Sequence, residues 1–180
     1  MTHSTLPILT IYCHLDYYLS MTAKRHTPGG DALTGLVLAV FRLNGRLLTA
    51  GDRLVSDLGL TSARWQVLGA IALAPSPQPV AWLARNMGLN RQGVQRIVNE
   101  MRQDGLVELR PNPHHRRAHL VALTKRGADA FGSASRLQAP WANALARGIS
   151  AEEFAKTRRL LATLCERLDQ ELGKGRDDNG

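Results

Sequence analysis

Cysteine is scarce. The 180 residues hold two, Cys13 and Cys165, with no spacing that suggests a zinc site or a disulfide framework, which fits a reducing cytoplasm. Cys165 lies in an apolar helical stripe and reads as a small core residue rather than a redox sensor. Aromatic residues make up 5% of the chain, so the core is expected to be aliphatic and largely helical. No Gly-rich phosphate loop follows a strand, and neither a nucleophile motif nor a helix of paired carboxylates is present. No catalytic residues and no cofactor are therefore expected. His114, His115 and His119 cluster without neighbouring cysteine or carboxylate ligands, and strand alternation parts them, so they read as solvated or phosphate-facing rather than metal-binding. Residues 1–30 lack a basic region ahead of a short apolar run and end in Pro28-Gly29-Gly30. That is neither a signal peptide nor a membrane span, and a poorly ordered extension is expected, with Met21 as an alternative start.

Acidic residues are few in one region. The formal net charge is +8 and the isoelectric point near 10.3. Between Arg85 and Arg126 stand nine basic residues and only three acidic ones, whereas eight of each cancel from Gly127 to Gly180. Charge spread for solubility alone would not concentrate in this way. A localised basic patch is the electrostatic footprint of nucleic-acid binding, because each phosphate contact releases counterions.

The basic region coincides with the most organised stretch, Val80 to Thr124. Val80, Leu83, Ala84 and Met87 form one apolar stripe, Gly88 stops the helix, and Leu89 is expected to pack inward. Asn90 is a suitable N-cap for a second helix, Asn90 to Arg102, with Val94, Ile97, Val98 and Met101 inside. Its outer face carries Arg91, Gln92, Gln95, Arg96 and Asn99. Arg pairs bidentately with guanine, and Gln or Asn with adenine, in a major groove that admits a helix. Gly93, nearly without a side chain, would permit a close approach. A hairpin with a basic tip follows, at His115, Arg116 and Arg117; these three, with Asn90 and the outer face of the second helix, are the expected DNA contacts.

Ala84, Gly88, Val94 and Ile97 fall on the helix-turn-helix pattern. Asp104-Gly105-Leu106-Val107, Pro113, Arg116-Arg117-Ala118 and Val121-Ala122-Leu123-Thr124 follow the order of a wing. The segment resembles the MarR family of winged helix-turn-helix regulators, with similarity over roughly residues 33–170. Two departures remove negative charge: His115 stands where an acidic residue usually precedes the paired arginines, and Asn99 where one is common.

The resemblance implies a mainly α fold with a small β-hairpin wing and N- and C-terminal dimerisation helices. The chain then divides into the extension, a dimerisation helix at 31–60, the winged helix-turn-helix at 61–125, C-terminal dimerisation helices at 126–174 and a polar tail at 175–180. Gly45 and Gly51 suggest a kink or an early end in the first helix. Thr61 caps the next, and Pro75, Pro77 and Pro79 read as a stiff linker. The helix after Thr124 is expected to break or bend at Pro140, and Ser150 with Glu153 has capping-box spacing.

By the same resemblance the protein is a homodimeric repressor that binds a pseudo-palindromic operator in double-stranded DNA, with no membrane association. Its half-sites would lie about 34 Å apart. Apolar segments around Phe41, Trp65 and Trp141 would line a cleft for a small aromatic effector. Two other readings stay open: a sequence-tolerant architectural DNA-binding protein, and a protein-interaction module that does not bind DNA.

Overall fold

The computed structural model describes residues 26–115 and 117–177. The expected disorder of residues 1–25 and the last three residues of the tail lie outside them, as do Cys13 and Arg116.

The first helix, α1 (Pro28–Val55), starts three residues before the expected Asp31. The Pro-Gly-Gly sequence opens the helix instead of ending the extension. Proline is tolerated in a first turn because its missing N–H would be unpaired there anyway, and the Thr27 hydroxyl accepts the Gly30 amide at 3.1 Å. Neither Gly45 nor Gly51 ends α1, and a 3-10 turn, Ser56–Leu58, follows it. Gly51 is buried where α1 meets α2 (Ser62–Ala72): a Cβ there would stand 2.7 Å from Ser62 Oγ. Asp52 Oδ1 accepts the Ser62 amide at 2.6 Å, and Thr61 Oγ1 accepts the Arg64 amide at 3.2 Å. The free amides at the start of α2 are thus shared between its own cap and a carboxylate of α1.

The prolines after α2 do not form only a linker. Gln78 and Pro79 form a short strand, β1, which pairs antiparallel with β3 (Leu120–Leu123). The hairpin partner is β2 (Val107–Arg110), giving the sheet order β1-β3-β2 with Leu109 opposite Val121. Pro79 is tolerated because it lies on an edge strand.

Between these strands lie α3 (Val80–Asn86) and α4 (Arg91–Gln103). The core is one aliphatic cluster: Val55, Val67, Leu68, Leu83, Val94, Val98, Met101 and Val121 are fully buried. Ala84, 2% exposed, is small enough to let α3 and α4 approach closely.

α5 (Lys125–Leu145) runs without a break through Pro140. Proline there forfeits one amide donor, and the helix continues on its remaining bonds. Gly127 in its first turn abuts the Leu106 carbonyl, which leaves no room for a Cβ. α6 (Ala151–Asp177) begins at the expected capping box, with the Glu153 amide donating to Ser150 Oγ at 3.1 Å and the Ser150 amide to Glu153 Oε2 at 2.9 Å.

α6 packs extensively on no other described element, and Phe154, Leu160, Leu168 and Leu172 are exposed. Cys165 is exposed with them, against the expectation of a core position, because its stripe has no extensive partner among the described elements. α1 also leaves Leu33, Val37, Phe41 and Leu43 in solvent. By length and composition the segment 28–58 is apolar enough to cross a membrane. Yet Arg42 and Arg46 stand at mid-helix, where a bilayer would charge about 2.5–3.5 kcal/mol for each, and Val55 is built into the core.

Candidate nucleic-acid interface

The outer face of α4 is set by its two ends. At the start, the Asn90 side chain accepts the Gly93 amide at 2.7 Å, so the first turn is fixed and Asn90 serves as a cap. Its side chain also borders Gly93, where a Cβ would come within 3.1 Å of Asn90 Oδ1. At the other end, Gly105 takes φ +70° while the Leu106 amide reaches the Met101 carbonyl at 2.8 Å. Gly88 closes α3 in the same manner at φ +64°, with Leu89 bonded to the Ala84 carbonyl at 2.9 Å. Both are helix exits that glycine makes without steric cost. Leu106 is buried, but Leu89 is 49% exposed, contrary to its expected inward packing. Its amide closes α3 while its side chain, at the turn before α4, is left outside the core.

Arg91, Gln92, Gln95, Arg96 and Asn99 all border one shallow surface along α4, which Gln103 extends by a further turn. Gln95 is half-buried and donates to Asn99 Oδ1 at 3.0 Å, so two of the expected base-reading groups hold each other. Glu100 lies at the edge of this surface, near Arg64 of α2. Arg91 and Gln95 also border a small groove with Arg117 and His119 at the wing. Helix and wing therefore converge. Strand alternation past Ala118 was the signal that could have placed His119 there.

The wing turns around Asn112. Its Nδ2 donates to the Ala118 carbonyl at 2.9 Å, its Oδ1 accepts the His114 amide at 3.0 Å, and its carbonyl accepts the His115 amide at 3.2 Å. Sequence reasoning missed this residue and looked for order in the carboxylate absent at His115. His115 itself is exposed, as is Arg117, and Arg116 is not among the described residues. Arg110 Nε donates to Glu108 Oε1 at 2.8 Å on the hairpin stem. Among the described residues no cluster of His, Cys, Asp or Glu has metal-binding form.

A second concavity of about 370 Å³ lies among α1, α2 and α5. It brings together Trp65 and Trp141 but not Phe41, which is 67% exposed on another face of α1 beside Arg42 and Arg46. Phe131, earlier on α5 than Trp141, supplies the third ring. A Cβ on Gly69 would sit 3.4 Å from that ring, so the glycine keeps the wall thin.

The MarR family model matches residues 58–118, from the end of the 3-10 turn to the tip of the wing. The crystal structure of a MarR-family transcription regulator superposes with a TM-score of 0.65 at 26% identity, covering 80% of this chain and 94% of that one. The chain belongs to the MarR family. The MarR-family regulator MOSR of Mycobacterium tuberculosis, solved in complex with DNA, is similar at 25% identity and a TM-score of 0.63, covering 74% of this chain and 95% of MOSR. Among sequences, an uncharacterized protein of M. tuberculosis is 42% identical over 97 residues, which are 54% of this chain and 66% of that protein. The transcriptional activatory protein BadR of Rhodopseudomonas palustris is 33% identical over 94 residues, 51% of this chain and 54% of BadR. Sequence similarity to these two thus spans between half and two thirds of their length. In this MarR-family chain it is the winged helix-turn-helix that carries the match, while α1 and α6 lie outside the family model.

Proposed function

We propose that the protein is a dimeric, sequence-specific DNA-binding regulator of transcription in the cytoplasm. The observation that carries this reading is the continuous polar strip of Arg91, Gln92, Gln95, Arg96 and Asn99 on a helix whose ends are both fixed, flanked by Arg117 on the wing. The strip enters a major groove and reads base edges; Arg117, with Arg116, grips phosphate or the adjacent minor groove. Asn90 acts as the cap that aims the strip, and His115 borders the backbone. That the similar regulator MOSR was solved in complex with DNA supports DNA binding as such.

The apolar faces of α1 and α6, with α5, join two copies, so that residues 31–60 and 126–174 form the dimer part and 61–125 the reader. Two-fold symmetry then calls for a pseudo-palindromic operator, half-sites about 34 Å apart. The cavity holding Trp65 and Trp141 takes a small aromatic effector that biases the spacing of the two readers. Repression is the proposed mode. The likeness to BadR, an activatory protein, favours activation as the second reading, and expression of the neighbouring gene in a deletion strain separates the two by its sign.

The test is an anisotropy titration against DNA from upstream of the gene, at two salt concentrations with scrambled competitor. Retention under competition is expected, with Arg96→Ala losing specificity more than general affinity. Binding abolished by competitor would favour a sequence-tolerant architectural protein, and no binding at low salt would leave only a protein-interaction role.

A further inference from the structure

Among the described residues, no ionisable side chain borders the cavity among α1, α2 and α5. Its rings are Trp65, Phe131 and Trp141, and its polar groups include three carboxamides, one from each helix: Asn44 of α1, Gln66 of α2 and Gln138 of α5. A carboxylate stands behind one lining residue. Asp52 accepts the amide of Ser62, a buried residue that itself borders the cavity and whose Oγ is 3.3 Å from Gln66 Nε2.

This lining discriminates by charge. A carboxylate entering this open-sided cavity would exchange part of its water for rings and meet no cation among the lining residues, and a charge that loses water without gaining a partner is penalised. An ammonium group would gain ring faces, but the neighbouring carboxylate is already engaged with the Ser62 amide. Carboxamides, by contrast, each both donate and accept, and they match a neutral group that does the same. A volume of about 370 Å³ is at the small end for ligand sites and suits one or two rings.

We propose that this cavity takes an uncharged aromatic molecule of one or two rings carrying a group that both donates and accepts hydrogen bonds, and that it rejects the corresponding carboxylate. The inference rests on the effector reading above and adds to it the charge and the recognition groups.

Calorimetric titration of the full-length protein with naphthamide, naphthoate and naphthylmethylammonium at neutral pH tests it. The amide is expected to bind at least about tenfold tighter than either ion, a gap set by the cost of burying an unpaired charge. Gln138→Lys, which supplies the missing cation at an exposed position of α5, is expected to turn the preference toward naphthoate. Naphthoate or the ammonium binding the wild-type protein as tightly as the amide overturns the inference and leaves the effector site standing. Heat from none of the three overturns the effector site and the inference together. DNA binding, measured separately on the same preparation, is untouched by either result.

Discussion

Arg64 Nη1 lies 2.8 Å from Asp104 Oδ2, and Nη2 of the same guanidinium lies 3.8 Å from Glu100. Arg64 belongs to α2, while both carboxylates lie at the C-terminal end of α4. The next residue, Trp65, borders the cavity. Two consecutive residues of α2 thus touch the cavity and the recognition helix, so a displacement of α2 reaches α4 through an ion pair as well as through the core.

That pair is half-exposed, and its contribution to stability is small. A double-mutant cycle with Arg64→Ala and Asp104→Ala is expected to give a coupling of about 0.5–1 kcal/mol in urea denaturation. A coupling indistinguishable from zero would mean that the core alone holds α4 against α2.

Gly127→Ala is expected to be severe. The added Cβ overlaps the Leu106 carbonyl oxygen, a backbone atom at the exit of α4 that cannot turn aside. A loss of about 3 kcal/mol, equivalent to roughly 6–12 °C in Tm, should appear in thermal denaturation. Gly45→Ala is the contrast: among the described residues no neighbour outside its own helix backbone lies within 4 Å, and alanine at mid-helix should be neutral or stabilising by about 0.5–1 kcal/mol.

The Asn112 clasp is separable from a general effect of truncation. Asn112→Asp keeps the acceptor for the His114 amide but removes the donor to the Ala118 carbonyl. It also adds a negative charge near the wing arginines. DNA affinity is expected to fall for Asn112→Asp and Asn112→Ala alike, while the Tm shifts by no more than about 3 °C, since the wing tip lies outside the core. Unchanged affinity in the alanine variant would show that the wing needs no clasp.

Glu153 carries a pH signature. The Ser150 amide, and after it the Ser150 hydroxyl, hold its carboxyl below the usual glutamate value. A depressed folded-state value stabilises the capped form above the unfolded value, and that contribution is lost as the pH falls through the folded one. The N-terminus of α6 should therefore fray in acid. In a carboxyl-carbon NMR titration, Ser150→Ala is expected to raise the Glu153 value only partway, because the amide bond remains; no change would mean that the hydroxyl plays no part.

The reader was legible in the sequence because local rules govern it. Gly88 and Gly105 occupy left-handed positions, Asn90, Thr61 and Thr124 cap helices through their own side chains, and the α3 and α4 stripes have helical period. Non-local features were less legible. The pairing of Pro79 with Leu120 joins residues distant in sequence, and a proline there reads as a linker until its edge position is known. Phe41 and Phe131 are both aromatic residues on apolar helices, and only the rotation of α1 and α5 decides which one meets Trp65. Asn112 was missed because a polar residue beside Pro113 reads as an ordinary turn. Cys165 was placed in a core on periodicity, which marks a face but does not supply what covers it.

Among the described residues α6 packs extensively on no other element, and in the dimer proposed above this makes protein quantity a variable in its own right. A helix held mainly by a second copy depends on mass action, so in that dimer its order would rise with the number of molecules present. Dilution would then act on this protein as a mild denaturant does on others, loosening the C-terminal end while the aliphatic core around Leu68 and Met101 stays intact. If the dimer holds, a cell with few copies and a cell with many would not contain the same molecule.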